Sequence, residues 1–518
     1  MRLIFSIGAL ACIAGAISST EASRTYKDDL VSYLPLFGSL NETFKTYSGM
    51  LKVPIPEEST LDYSALYIRY QFHESQRSPE KDPVVTWHQG GPGGSSLYGA
   101  YGEMGFYQIF DKGAVRNAHS WNRVANMLYL ESPAGSSISG VGFSYCVDKS
   151  GKMASSCSWN DVNQGEAYAY TLEAFFKFFP QFAKHDLYFT GESYAGQYLP
   201  NIANFIVNTF WPQKRLTTLK GFAAGNACWG GSEHSVECNG PNEQKLETDL
   251  FHGKGLMSNA LKDEIYDACG FESEDASEKH SRECSSALDK MSEQVGPHNV
   301  YDIYDNCPLT MSQVQTFLDQ SGKSMRWLRS AIRQAGPEGL QSSSPILATE
   351  HRAREALPDG GFDWNCGAMS AIGAYFNRKD VQRALHLPTP ANVQFNYKTS
   401  GPASITLYPS LIKKLDILIY NGDADSCVPY NGNEEWTTDL AKQNLIKQTA
   451  AWHPWFTQGQ NGGSFAPAGY ATTYSVEDSD KTFQFVTIRL AGRKYLIFLT
   501  EFLFAAILTR MDHIFSLF

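Results

Sequence analysis

The residues with the clearest capacity for chemistry lie in Asp186-Leu187-Tyr188-Phe189-Thr190-Gly191-Glu192-Ser193-Tyr194-Ala195-Gly196. The apolar run from Leu187 to Phe189 predicts a buried strand, and Tyr198, Ile202, Phe205 and Ile206 then recur at helical spacing. Ser193 therefore falls on a tight turn between strand and helix, the layout of a nucleophile elbow. Such a turn lifts the hydroxyl clear of the sheet, and the first N–H groups of the helix face a developing oxyanion. By itself the pattern also fits an ordinary strand-to-helix turn. Two further stretches supply partners. Residues 83–88 predict a strand running into Gln89-Gly90-Gly91-Pro92-Gly93-Gly94-Ser95-Ser96, whose glycines let backbone N–H groups approach a ligand closely. A nucleotide-phosphate loop would need a lysine that this stretch lacks. Ile417-Leu418-Ile419-Tyr420 predicts a strand ending in Asn421-Gly422-Asp423-Ala424-Asp425, which offers two carboxylates to orient a base.

The elements that must position these groups alternate between strand and helix. Strands are predicted over 46–49, 64–70, 126–131, 218–224 and 483–488, besides those above, and helices from 161 to about 179 and around 381–387. That order implies an α/β protein with a mostly parallel central sheet and helices on both faces. In such sheets active residues collect beyond the carboxyl ends of the strands, where the glycine-rich loop, Ser193 and Asp423/Asp425 all fall. Between 228 and 364 the texture becomes polar, rich in Ser, Glu and Lys, and carries Cys228, Cys238, Cys269, Cys284 and Cys307. This stretch is expected to be an inserted helical cap tied by disulfides.

Composition narrows the setting. The 518 residues are 42% hydrophobic and 19% charged, as in a folded globular protein. A net charge of −11 with no basic stripe argues against nucleic-acid or anionic-membrane binding. Met1-Arg2 followed by an apolar stretch from Leu3 to Ile17 has the layout of a secretory signal, predicted as residues 1–22 with cleavage near Ala22. Of ten cysteines, Cys12 lies in that leader, and the rest are expected mostly to pair. None has zinc-ligand spacing, so no metal site is expected. Asn41-Glu42-Thr43 is a glycosylation sequon.

Trp87-x-x-Gly90-Gly91-Pro92-Gly93, Glu131-Ser132-Pro133-Ala134-Gly135, Gly191-Glu192-Ser193-Tyr194-Ala195-Gly196, Gly225-Asn226, Phe376-Asn377-Arg378-x-Asp380-Val381-Gln382-x-Ala384-Leu385-His386 and Asn421-Gly422-Asp423-x-Asp425 occur in the order and spacing of the serine carboxypeptidase family. The resemblance covers roughly residues 46–492. It implies an α/β-hydrolase fold in two parts, 23–227 and 365–492, around the cap at 228–364. It also implies a secreted, vacuolar or lysosomal enzyme that needs no cofactor and releases C-terminal residues from peptides at acidic pH. By that resemblance Ser193 is the nucleophile, the N–H groups of Gly91 and Tyr194 form the oxyanion hole, and Asp425 orients the base, with Asp423 structural. Gln89, Gly90, Glu103 and Glu192 match the groups that grip the substrate's terminal carboxylate. Two glutamates in contact cannot both stay charged cheaply, so one keeps a proton and donates it.

The sequence departs from the family pattern in four places. Gln89 stands where asparagine is usual, Gly94 where cysteine is usual, and 136–140 reads as an insertion. After Leu490-Ala491-Gly492, Arg493 occupies the position of the catalytic histidine, and arginine cannot serve as a base. His453, in Trp452-His453-Pro454-Trp455 of a surface hairpin, and His513 are poor replacements. Residues 493–518 show no resemblance and read as a translated intron: Arg493-Lys494-Tyr495 can be encoded by cgt-aag-tat, which holds a splice-donor sequence. The stretch from Tyr495 to Leu508 is too short for a membrane anchor. The alternatives to a carboxypeptidase are an acyltransferase on the same fold and a catalytically dead peptide-binding relative.

Overall fold

The computed structural model describes residues 24–110, 113–230, 238–272, 281–296, 298–304, 369–391, 393–400, 403–457 and 466–492. The leader at 1–22, Cys307 with the cap residues 305–364, and the tail with Arg493 and His513 lie outside the described residues.

An eleven-stranded sheet organises the chain. Its strands are β1 (Thr46–Pro54), β2 (Ala65–His73), β3 (Val84–His88), β4 (Asn126–Leu130), β5 (Tyr145–Val147), β6 (Leu187–Ser193), β7 (Leu219–Ala227), β8 (Asp416–Gly422), β9 (Ile446–Thr457), β10 (Ala466–Val476) and β11 (Thr482–Ile488). Their order across the sheet is β9-β10-β11-β8-β7-β6-β3-β4-β2-β1, with β5 also on β2. The run from β11 to β4 is parallel throughout, while β1, β2, β5, β9 and β10 join antiparallel. The segment expected as a surface hairpin is the antiparallel pair β9–β10, which forms one edge of the sheet.

Alternation along the strands sorts the core onto two faces. Phe483 and Phe485 of β11 and Leu128 and Leu130 of β4 face one cluster, whereas Val486, Ile488, Met127 and Tyr129 face the other. On the first face lie α2 (Asp161–Phe178) and α3 (Ala195–Phe205), contributing Ala169, Leu172, Phe175, Leu199 and Ile202. The second face is covered by α1 (Leu97–Gly102), by way of Tyr98 and Tyr101, and by the helix Met369–Asn377, by way of Ile372 and Phe376. Each large apolar side chain so buried contributes about 1.5–3 kcal/mol. Three helices, Glu243–Gly253, Asn259–Cys269 and Arg282–Val295, follow β7 with a small apolar cluster of their own, and Cys269–Cys284 joins the last two. Cys228–Cys238 and Cys146–Cys157 are also paired. Asn41 is exposed, as a glycosylation acceptor must be.

Candidate active site

Ser193 ends β6 with φ at +60°, the left-handed conformation that a nucleophile turn imposes, and α3 begins two residues later. The glycines around it are required by close approach. A Cβ on Gly191 would lie 2.6 Å from Ala195 Cβ and from the His88 carbonyl oxygen. On Gly196 it would meet the Cys228 carbonyl oxygen at 2.3 Å. On Gly90 it would meet Ser193 Cβ at 2.6 Å and the Tyr194 backbone nitrogen at 2.7 Å. The glycine-rich loop therefore lies directly against the nucleophile turn.

Several ties hold that loop. The Gly94 N–H donates to the Gly90 carbonyl at 3.0 Å, and the Gly93 N–H to the Tyr198 hydroxyl at 3.2 Å. The apparent insertion at 136–140 braces it as well: the Ser137 N–H donates to the Gly93 carbonyl and the Ser95 N–H to the Ser137 carbonyl, both at 3.1 Å. Beneath it, buried Glu131 accepts from Ser95 Oγ (3.1 Å), Phe143 N–H (2.6 Å) and Ser144 N–H (2.8 Å). Burial holds the Glu131 carboxyl above its usual range, with nearby Arg69 opposing the shift only in part.

Gln89 is drawn into this arrangement. Its Nε2 donates to Glu192 Oε1 at 2.6 Å and its Oε1 accepts from Trp87 Nε1 at 3.0 Å. A Cβ on Gly94 would lie 3.1 Å from Gln89 Cγ. That Cβ would strike the Gly90 carbonyl oxygen first, at 2.7 Å, so the loop backbone itself leaves no room for a side chain at position 94. Glu192 and Glu103 are both 2% exposed. Tyr420, at the end of β8, feels both charges; burial first, then Glu192 and Glu103, push its hydroxyl far up. Both glutamates thus bear on Tyr420, and Glu192, next to Ser193 in the chain, is bonded to half-buried Gln89. Tyr420 was not among the expected site residues, and its position in an apolar strand gave no signal.

The acid lies two strands away, since β7 separates β6 from β8. Asp425 is fully buried, and its Oδ1 accepts from the N–H groups of Cys427 (2.8 Å) and Val428 (3.2 Å). Asp423 instead accepts from the Leu490 N–H at 2.7 Å and pairs with Lys254 at 3.0 Å, which fits a structural role. Asn226 clamps the two strand ends, accepting from the Gly422 N–H at 3.0 Å. Its place in the Gly225-Asn226 motif was the only sequence signal for that role. The chain after β11 folds back over this loop: the Ala424 N–H donates to the Ala491 carbonyl at 2.9 Å, and a Cβ on Gly422 would meet the Gly492 carbonyl oxygen at 2.5 Å.

No described histidine replaces the base. His453 lies on edge strand β9 in register with Ala471 and Val486, three strands from β8, about 14 Å across the sheet. His298 reaches Ser426 Oγ at 3.2 Å and the Gly296 carbonyl at 3.1 Å, and burial pulls it down. His88 is buried against the Thr190 carbonyl at 3.0 Å and held down to about 4.

A sequence model described as serine carboxypeptidase matches residues 37–495. The chain belongs to the serine carboxypeptidase family. Serine carboxypeptidase-like 35 of Arabidopsis thaliana is 30% identical over 493 residues, covering 92% of this chain and 88% of that protein. Lysosomal protective protein of Mus musculus is 29% identical over 431 residues, covering 79% and 80%. Among solved structures, a prohormone-processing carboxypeptidase from Saccharomyces cerevisiae superposes with a TM-score of 0.59 at 18% identity, covering 93% of this chain and 95% of that one. The fold is thus the α/β hydrolase fold of serine carboxypeptidases. The family match runs past Gly492 through position 493, the place where this member carries arginine. Among the described residues no helix is long and apolar enough to cross a membrane, and no cluster of metal-ligating side chains occurs.

Proposed function

We propose that this chain derives from a serine-type carboxypeptidase that cleaves the last peptide bond of its substrates through an acyl-enzyme. In this reading Ser193 Oγ attacks the scissile carbonyl and the N–H groups of Gly91 and Tyr194 bind the oxyanion, each donor worth about 3 kcal/mol of barrier. Asp425 orients an imidazole at position 493, which takes the Ser193 proton and delivers it to the leaving amine. Glu103 and Glu192, sharing a proton, receive the substrate's terminal carboxylate with Gln89 and the Gly90 backbone. Ionising both acids repels that carboxylate, which gives an acidic optimum. The observation that carries the reading is the Gln89–Glu192 hydrogen bond at 2.6 Å beside the Ser193 turn, which sets a carboxylate grip next to a nucleophile.

Arg493 cannot perform the base step. The tail 493–518 is read as translated intron, and the working enzyme as a spliced form with histidine after Gly492. The leader 1–22 then directs it to secretion, a vacuole or a lysosome. The direct test is Arg493→His with the chain ended shortly after. Release of the C-terminal residue from a free peptide, and none from the same peptide amidated, supports the reading; no release from either overturns it. Sequencing the 3′ end of the transcript provides the second check. If only the Arg493 form exists, the dead peptide-binding relative is favoured, and it predicts peptide binding without phosphonate labelling of Ser193.

A further inference from the structure

Asp161 is the first residue of α2, behind an Asn160 cap whose Oδ1 accepts from the N–H groups of Val162 and Asn163 at 3.0 and 2.8 Å. It is 2% exposed, and no described basic side chain pairs with it. Oδ1 accepts from the Tyr194 hydroxyl at 2.8 Å and the Tyr397 hydroxyl at 2.9 Å, and Oδ2 from the Ser400 N–H at 2.6 Å. A buried carboxylate satisfied by neutral donors alone is costly to maintain unless its position matters.

Both halves of the expected oxyanion hole meet at this carboxylate. Tyr194 supplies one N–H, and its side chain is tied to Asp161. The other half is the glycine loop, held from two directions. Tyr198, which accepts the Gly93 N–H, packs edge-on against Tyr194 at 5.3 Å and Tyr397 at 6.0 Å. The strand Gln394–Lys398 pairs in parallel with Ser156–Asn160, the residues leading into Asp161. From that strand Phe395 stacks on Tyr397 at 5.9 Å and covers the loop so tightly that a Cβ on Gly93 would lie 2.6 Å from its ring.

We infer that Asp161 is a positioning residue for the oxyanion hole, fixing Tyr194 and, through Tyr397 and Ser400, the Phe395 strand that braces the glycine loop. The inference rests on the proposal that the Gly91 and Tyr194 N–H groups bind the oxyanion. Asp161→Asn keeps the shape but turns an amide donor toward the Ser400 N–H or toward the tyrosine hydroxyls. In an Arg493→His parent, this change should lower kcat by about ten-fold, a fraction of the loss of a whole oxyanion donor. KM should stay within about two-fold, and affinity for a peptide aldehyde, whose adduct carries the oxyanion, should fall in step with kcat. Tyr194→Phe, which removes one tie, should show the same split to a smaller extent. Unchanged kcat and aldehyde affinity in a folded variant would overturn the inference. So would losses that track the fall in Tm alone.

The chain as it stands offers a readout that needs no turnover. Amide exchange in segments 90–96 and 193–198 should rise by about ten-fold in Asp161→Asn, with exchange in β8 and β11 unchanged. Equal protection in both proteins would overturn the inference. An inactive Arg493→His parent would instead count against the functional proposal, with the exchange result still deciding the role of Asp161.

Discussion

The nucleophile turn and the acid loop stand on strands two apart in one sheet, yet they are built differently. Around Ser193 the constraints are steric: Gly90, Gly191 and Gly196 each sit where a single added carbon would strike backbone or a neighbouring Cβ at 2.3–2.7 Å. Around Asp425 the constraints are polar: N–H groups of Cys427 and Val428, the Asn226 clamp, and the Asp423 tie to Leu490 hold a loop over which the chain from Leu490 to Gly492 folds back. A sterically closed site depends on its own few residues. A site closed by hydrogen bonds to a distant segment depends on that segment being the right one. Here the first region keeps Gly90-Gly91-Pro92-Gly93 and Gly191-Glu192-Ser193-Tyr194-Ala195-Gly196 while departing from the family pattern at Gln89 and Gly94, and the second is followed by Arg493.

Several experiments sharpen or break that contrast. The largest effect is expected from Arg493→His: removal of a triad histidine can cost about 10⁶ in kcat, so its restoration should raise release of C-terminal residues by at least about 10³-fold. A smaller gain would mean that the acid loop is also miswired. In that background Asp425→Asn should cost about 10⁴ in kcat. Asp423→Asn should leave kcat nearly unchanged and lower stability by about 1 kcal/mol, because its ion pair with Lys254 is only partly buried. Equal losses of kcat would erase the assigned division between the two acids. Gly90→Ala should cost about 10²-fold in kcat by forcing the loop off Ser193, and phosphonate labelling rates would report the same displacement. Gln89→Asn shortens an amide that now reaches Glu192, and should raise KM several-fold, about 1 kcal/mol, with little change in kcat.

A separate effect concerns the shared core. Burial holds His73 down to about 3 and His88 down to about 4. Below pH 6.5 the unfolded chain takes up protons that these folded imidazoles refuse. Their contribution is therefore intact above about pH 6.5 and is lost as the pH falls toward 4, by about 1.4 kcal/mol per pH unit for each. His88→Gln should flatten urea-derived stability between pH 6.5 and 4.5 by about that slope, and an unchanged slope would show that His88 protonates in the folded state.

The sequence made legible what short-range pattern determines. The strands themselves, the Ser193 turn and the glycine loop were visible, because each depends on residues adjacent in the chain, but strand ends were not: Thr46–Pro54, Ala65–His73 and Leu219–Ala227 all run past the ends expected at 49, 70 and 224. The different roles of Asp423 and Asp425 were readable only through resemblance. What escaped was long-range. Asp161 meets Tyr397 and Ser400 across the whole cap, and nothing near Asp161 marks it as more than the start of a helix. Tyr420 looked like another apolar strand residue, and the fit of Gln89 against Gly94 appears only when both are placed. The surface hairpin around His453 is present as the antiparallel pair β9–β10, and what the sequence did not show was that it extends the central sheet.

The insertion between β7 and β8 has a consequence for how the molecule is made. Gly221 and Asp416 are register partners in the middle of the sheet, yet roughly 190 residues of cap and returning chain must be synthesised between them. At about 5–20 residues per second, the ribosome takes on the order of 10–40 s to deliver β8 after β7 has emerged. Throughout that interval β7 presents an unpaired inner edge, with Phe222, Ala223 and Ala224 ready to join any passing strand. The growing chain therefore exposes that edge before β8 and the Gln394–Lys398 strand, which braces the glycine loop, have been made.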